Sequence, residues 1–179
     1  PDTTLRATVV RLKPTSVLNS LHAQIRAAVR RKALRPKEVP FGVAALDGKV
    51  SRKMPWPCDA DGSPVATDPY AQRVQPSEGD AYGLVRTTTV SLVSAETRPC
   101  IHVSPIPPRT NEMGHFQQVV RELVAAYGPR GLFRMLTYDA GACSEANGAF
   151  VVSQKLHYLF TLKEDQPTLL AEARRVLQR

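Results

Sequence analysis

Beyond residue 80 the chain changes period again and again, and that alternation limits what it can fold into. Leu84 to Ala95 carries the β-branched run Val85-Arg-Thr-Thr-Thr-Val90, then Leu92 and Val93. Such residues suit a pleated, half-buried surface. Cys100 to Ile106 alternates as well, and Pro107 and Pro108 end the pairing. The spacing then becomes helical, with Met113, Phe116, Val119, Val120, Leu123, Val124 and Tyr127 on one face. Thr110 or Asn111 can cap this helix, and Gly128-Pro129 stops it. Leu132 to Tyr138 reads as a buried strand ending at Asp139, Ser144 to Lys155 as a helix, and His157 to Leu162 as another strand. Gln166-Pro167 opens a last helix with Leu169, Leu170, Ala173 and Leu177 apolar. Early strands in hairpin contact, followed by alternating helix and strand, imply an α/β protein with a mixed sheet and helices on both faces.

A short helical segment precedes this part. Leu5, Val9 and Leu12 suit a helix from Asp2 to about Leu12, which Pro14 stops. Thr15 or Ser16 can cap a second helix, whose buried stripe is Val17, Leu18, Leu21, Ile25 and Val29. It ends in the basic run Arg26, Arg30, Arg31, Lys32, Arg35 and Lys37, which is either a solvated face or a surface turned toward DNA. Residues 1–38 are therefore read as a basic helical segment and 39–179 as the main domain. Phe41 to Leu46 suits a buried strand ending at Asp47-Gly48-Lys49. Residues 53–81, rich in Pro, Asp, Gly and Ser, read as a long surface loop in which Trp56 packs or stacks.

Composition narrows the classes of function. The 179 residues are enough for one sizeable domain, and a net charge of +8 with a pI near 9.8 favours phosphate-bearing partners. No apolar run is long enough for a membrane span, so no membrane partner is expected. Cys58, Cys100 and Cys143 are widely spaced, without metal-ligand spacing. Free structural thiols and a cytoplasmic setting follow. The chain opens on Pro1 and without a signal-peptide pattern, which reads as a trimmed piece of a longer protein.

Asp47 and Asp139 each stand at the end of an expected strand, where sheet-based sites gather. On neighbouring strands they would converge across roughly 5 Å. Paired carboxylates suit Mg²⁺ or Mn²⁺, and two such ions can activate a water and stabilise a leaving oxygen of a phosphodiester. Taken alone, Asp-Gly is equally a turn pair, and strand-end aspartates also cap helices.

The motifs in their order add to this. Ala45-Leu-Asp-Gly-Lys-Val-Ser-Arg52 resembles the first catalytic motif of bacterial insertion-sequence transposases, in the branch related to the H-repeat-associated proteins. Leu92-Val-Ser-Ala95 resembles that branch's next strand, and Thr110-Asn-Glu-Met113 its Asn-Glu helix start. Thr137-Tyr-Asp-Ala140 is similar to its second catalytic strand end, and Tyr158 to Pro167 to its Lys-Gly-Asn-Gln-Pro segment. The resemblance implies a ribonuclease H-like fold and a DDE carboxylate triad, with Asp47 as first acid and Asp139 as second. It implies two Mg²⁺ or Mn²⁺ ions, element ends and target DNA as partners, and a homodimer in the transposition complex. The activity implied is metal-dependent strand cleavage and strand transfer. The third acid would be a Glu beyond Arg179, so this chain alone is expected not to nick DNA in Mg²⁺. Glu164 replaces the family's Gly, Asp165 its Asn, and Glu145 decorates a helix. Lys49, Arg52 and Lys163 would contact DNA phosphate, as would Arg30, Arg31 and Lys32. Glu112 either supports the acids from behind or is a plain carboxylate at a helix start. His115 and His157 read as structural. The alternatives are a non-catalytic basic DNA-binding domain or decayed transposase, a related ribonuclease H-like nuclease, and a purely structural domain.

Overall fold

The structure, a computed structural model, describes residues 12–56, 58, 61, 69–128, 131–139, 141, 143–164 and 166–177, with the backbone alone of Ser51 and Arg52. The helix expected from Asp2 lies outside these residues save for Leu12, as does Asp165. Helix α1 spans Pro14–Arg30, strand β1 Val43–Pro55, β2 Ala71–Val74, β3 Tyr82–Leu92 and β4 Cys100–Pro105. Helix α2 spans Glu112–Tyr127, β5 Met135–Tyr138, α3 Glu145–Ser153, β6 His157–Phe160 and α4 Pro167–Leu177.

The six strands form one mixed sheet in the order β4-β3-β1-β5-β6, with β2 beside the first half of β3. Strand β3 is antiparallel to β1, β2 and β4, while β5 is parallel to β1 and β6 to β5. One strand thus runs against all the others. This order and direction, with helices around the sheet, make the fold ribonuclease H-like.

One face of the sheet carries the core. Ala44 and Leu46 of β1, Val90 and Leu92 of β3, and Leu136 and Tyr138 of β5 cluster with Phe116, Val119, Val120 and Leu123 of α2. Burying each of the larger side chains contributes roughly 1.5–3 kcal/mol. Phe116 stacks on Tyr138 at 5.7 Å and meets Phe160 edge-on at 5.8 Å, tying α2 to both β5 and β6. The Asn111 side chain caps α2 by accepting from the Gly114 amide at 2.8 Å, and Gly128, at φ 74°, follows its last turn. Ser144 caps α3 in the same way through the Asn147 amide at 3.2 Å.

Three local expectations are corrected. Pro14 is the first residue of α1 rather than a stop, because its missing N–H has no acceptor to serve in a first helical turn. The helix buries His22 and Ile25, while Val17 and Val29 face out, so the inward stripe is rotated from the apolar one. Strand β1 does not end at Asp47 but pairs with β3 as far as Pro55, through a bulge between Val50 and Arg52. The stretch read as loop from Lys53 accordingly holds the end of β1 and the whole of β2. Trp56 packs there: its ring lies over Gly83, and its amide donates to the Ala81 carbonyl at 3.2 Å. Helix α4 forms as expected but buries none of its residues among those described.

Candidate active site

Asp47 and Asp139 come from adjacent parallel strands. The β1–β5 register pairs Val43 with Met135, Ala44 with Leu136 and Ala45 with Thr137. Asp47 and Asp139 each lie two residues past the last of these pairs. Side chains alternate along a strand, so Asp47, within β1, projects from the face opposite the buried Leu46, while Asp139 follows directly on the last residue of β5. The ladder stops at Ala45 and Thr137, so both acids stand just past its end while β1 runs on beside β3. The Thr89 hydroxyl donates to the Asp47 carbonyl at 3.1 Å and holds β1 there.

Each carboxylate has a lysine against it. Lys49 Nζ lies 3.3 Å from Asp47 Oδ2, and Lys163 Nζ 3.8 Å from Asp139 Oδ2. All four side chains are more than half exposed. The other Asp139 oxygen accepts from the Gly141 amide at 3.1 Å, which fixes the plane of that carboxylate. Arg52 lies on the same strand, but its side chain falls outside the described residues.

A third carboxylate reaches this end of the sheet from the core side. Glu112, the first residue of α2, places its carboxylate where a Cβ on Gly48 would have to stand. It also hydrogen-bonds the Tyr138 hydroxyl. Burial first, then the charges of Glu112, Asp139 and Asp47, raise that hydroxyl above its ordinary range. Gly48 therefore serves as the gap that admits Glu112, not as the turn that Asp-Gly suggested.

Among the described residues, no three His, Cys, Asp or Glu side chains are arranged to hold a metal ion together. Two hard oxygen donors are nevertheless a fit for Mg²⁺, which usually takes one or two carboxylates and completes its shell with waters and substrate oxygens. Asp47 and Asp139 would supply those donors.

The predicted cations divide between the two ends of the sheet. Lys49 and Lys163 flank the acids, whereas Lys32 lies beside Gly42 and Arg134, at the starts of β1 and β5. Arg30 and Arg31 are exposed beside Lys32. Glu145 sits in the first turn of α3, and Glu164 follows the end of β6. The cysteines are free, and burial pushes the Cys143 thiol up, away from reactivity.

The interior also holds a buried histidine network that no sequence motif announces. His22 Nε2 meets His102 Nδ1 at 3.1 Å, and His102 Nε2 meets Glu122 Oε2 at 2.9 Å. The His22 and His102 rings stack at 5.3 Å, and His22 also touches Tyr127 edge-on at 5.2 Å. Nearby, Ser104 Oγ and His115 Nε2 pair at 2.9 Å, as a structural histidine should. The network ties α1 to β4 and α2. The hydrogen bond from His102 draws the Glu122 carboxyl down to about 2.

No family model matches the chain, and no curated protein matches it. Two solved structures resemble it distantly. A chain in the simian T-cell lymphotropic virus intasome in complex with PP2A regulatory subunit B56 gamma is 10% identical, with a TM-score of 0.37. The match covers 78% of this chain and 41% of that one. A chain in the piggyBac transposase synaptic complex with hairpin DNA is 15% identical, with a TM-score of 0.42, over 89% of this chain and 32% of that one. This chain thus spans less than half the length of either. The fold assignment rests on the strand order above. No helix among the described residues is long and apolar enough to cross a membrane.

Proposed function

We propose that the chain carries two acids of a metal-dependent polynucleotidyl transferase of the transposase kind, acting at insertion-sequence ends. The observation that supports this reading is the parallel pairing of β1 with β5, whose ladder ends two residues before Asp47 on one strand and two before Asp139 on the other. Mg²⁺ or Mn²⁺ ions bound there would supply Lewis-acid activation of water and of the leaving oxygen. The chain's own residues do the rest. Asp47 and Asp139 hold the ions. Lys49 and Lys163 release their weak exposed pairs and take the scissile phosphate. Glu112, through Gly48 and Tyr138, keeps the end of β1 at a fixed distance from α2. DNA is the partner, with a homodimer in the transposition complex, in the cytoplasm.

Mn²⁺ titration followed by electron paramagnetic resonance tests the metal step. Saturable binding is expected, weakened about tenfold or more by Asp47→Asn or by Asp139→Asn. Binding that is indifferent to both substitutions would sink the proposal. The lysines now seated on both carboxylates favour a second reading, a DNA-binding module that does not cut. It predicts DNA binding unaffected by metal.

A further inference from the structure

The starts of β1 and β5, at the opposite end of the sheet from the aspartates, border a cavity of about 280 Å³ whose wall includes Lys32, Arg35, Gly42, Phe133 and Arg134. Three cations converge on it from two parts of the chain that are far apart in sequence. None of the three makes an ion pair among the described residues, whereas Lys37, Lys49 and Lys163 each do. Arg30 and Arg31 extend the positive surface along the exposed end of α1.

The backbone here is arranged so that the cations are not answered from within. A helix C-terminus carries partial negative charge through its free carbonyls. In α1 the carbonyls of Ala27, Ala28 and Val29 accept from the amides of Arg31, Ala33 and Lys32 at 3.1, 3.0 and 2.9 Å. The Gly42 carbonyl accepts from Arg134 and Met135. Lys32 closes the turn in the left-handed region, at φ 59°. That conformation costs a non-glycine residue of order 1 kcal/mol and persists only where its surroundings hold it.

Distance separates this cluster from the acids. The four residues of β5, Met135–Tyr138, lie between Arg134 and Asp139, so five steps at strand rise separate them by roughly 17 Å. That is about twice the screening length at physiological salt, so these cations do not serve to neutralise the aspartates. All three are exposed, so an external anion can reach them. The cavity is small and opens onto a longer basic surface, which fits one phosphate of a polymer whose neighbouring phosphates lie along Arg30 and Arg31.

We propose that Lys32, Arg35 and Arg134 form a second phosphodiester-binding site, which anchors a nucleic-acid backbone away from the acid pair. The proposal shares with the preceding reading only its partner, and it holds whether or not the chain cuts. Fluorescence anisotropy with a labelled 20-base-pair duplex, across a salt series, tests it. The probe variant combines Lys32→Gln, Arg35→Gln and Arg134→Gln. The control carries the same charge change at the exposed Lys13, Arg73 and Arg109. Removing three phosphate-binding cations should lower the slope of log K against log salt by about 2–3 and weaken binding tenfold or more. The control should change neither by more than a fraction of that. Equal effects in probe and control would overturn the proposal, since net charge alone would then account for binding. So would tight binding of inorganic phosphate to the cavity with no competition by duplex, which would mark a free-anion site. Mn²⁺ binding at Asp47 and Asp139 should be untouched in the probe variant. Its loss in the aspartate variants should leave the salt slope unchanged, so the two proposals fail separately.

Discussion

The molecule holds two clusters of paired ionisable side chains, and they differ in burial more than in chemistry. His22, His102 and Glu122 join α1, β4 and α2 with His102 only 1% exposed, while Asp47 and Asp139, with side chains 64% and 61% exposed, meet their lysines in water. In the first cluster the two histidine rings are shielded from water, although Glu122 keeps 33% of its side chain exposed, so the loss of a histidine's partner is costly. In the second, water and salt compete for every charge, and an ion pair contributes at most about 1 kcal/mol. Stability therefore lies in the cluster away from the proposed chemistry. The exposed acids remain free to exchange a lysine for a cation at little cost.

The largest expected effect tests the buried side of this contrast. His102→Ala leaves Glu122 and His22 without their central partner and should destabilise by about 3 kcal/mol in urea unfolding. Asp47→Ala should change stability far less. Equal losses at the two positions would erase the distinction.

Acid should act on the same cluster. Burial first, then the neighbouring His102 and Arg26, hold the His22 pKa below its ordinary 6.5, while Glu122 opposes them. Burial holds His115 down likewise. Glu122 is drawn from 4.5 to about 2, chiefly by its hydrogen bond with His102. All three groups bind fewer protons folded than unfolded. Their contribution is thus present above the ordinary values and is lost as pH falls, beginning below 6.5 and continuing toward 2. Unfolding free energy measured from pH 7 to pH 3 should fall throughout, and Glu122→Gln should flatten the part below 4.5. A stability that rises on acidification would contradict the lowered pKa of His22 and His115.

Much of this architecture was legible in the sequence, for reasons that can be stated residue by residue. Periodicity located β3 and α2, because each buries one face and its apolar residues report which. The strands that lead to Asp47 and Asp139 were legible one by one, and their adjacency, which had to be assumed, is seen in the parallel pairing of β1 with β5. What escaped depends on contacts distant in sequence. His22 and His102 are 80 residues apart, and a histidine on a helix face announces no partner. Lys32 and Arg134 lie in separate segments that only the fold joins. The extension of β1 past Asp47 was hidden by Asp-Gly, a turn pair in isolation, whose glycine is instead explained by Glu112.

Gly48→Ala tests that explanation. A methyl group there would collide with the Glu112 carboxylate, the far end of a flexible side chain that can swing away. The expected cost is about 1 kcal/mol. The Tyr138 hydroxyl, freed from Glu112, should ionise at lower pH in a tyrosinate absorbance titration. In Glu112→Ala the same glycine change should cost almost nothing, because the coupling belongs to the pair. Additive effects would mean that Gly48 is required for some other reason.

The smallest expected effect is the one that bears most on the exposed cluster. Lys49→Ala and Lys163→Ala, singly or together, should shift stability by no more than about 0.5 kcal/mol, as usual for exposed charges. If the lysines are only place-holders on the acids, their removal should tighten Mn²⁺ binding, since the metal no longer displaces a competing cation. It should at the same time weaken duplex binding and lower its salt slope by about one unit for each lysine that pairs with a phosphate. Opposite signs for metal and DNA in one variant are what an exchange of partners requires. Weakened Mn²⁺ binding would instead mean that Lys49 and Lys163 orient the carboxylates for the metal. The exposed cluster would then be a built arrangement, as constrained as the buried one.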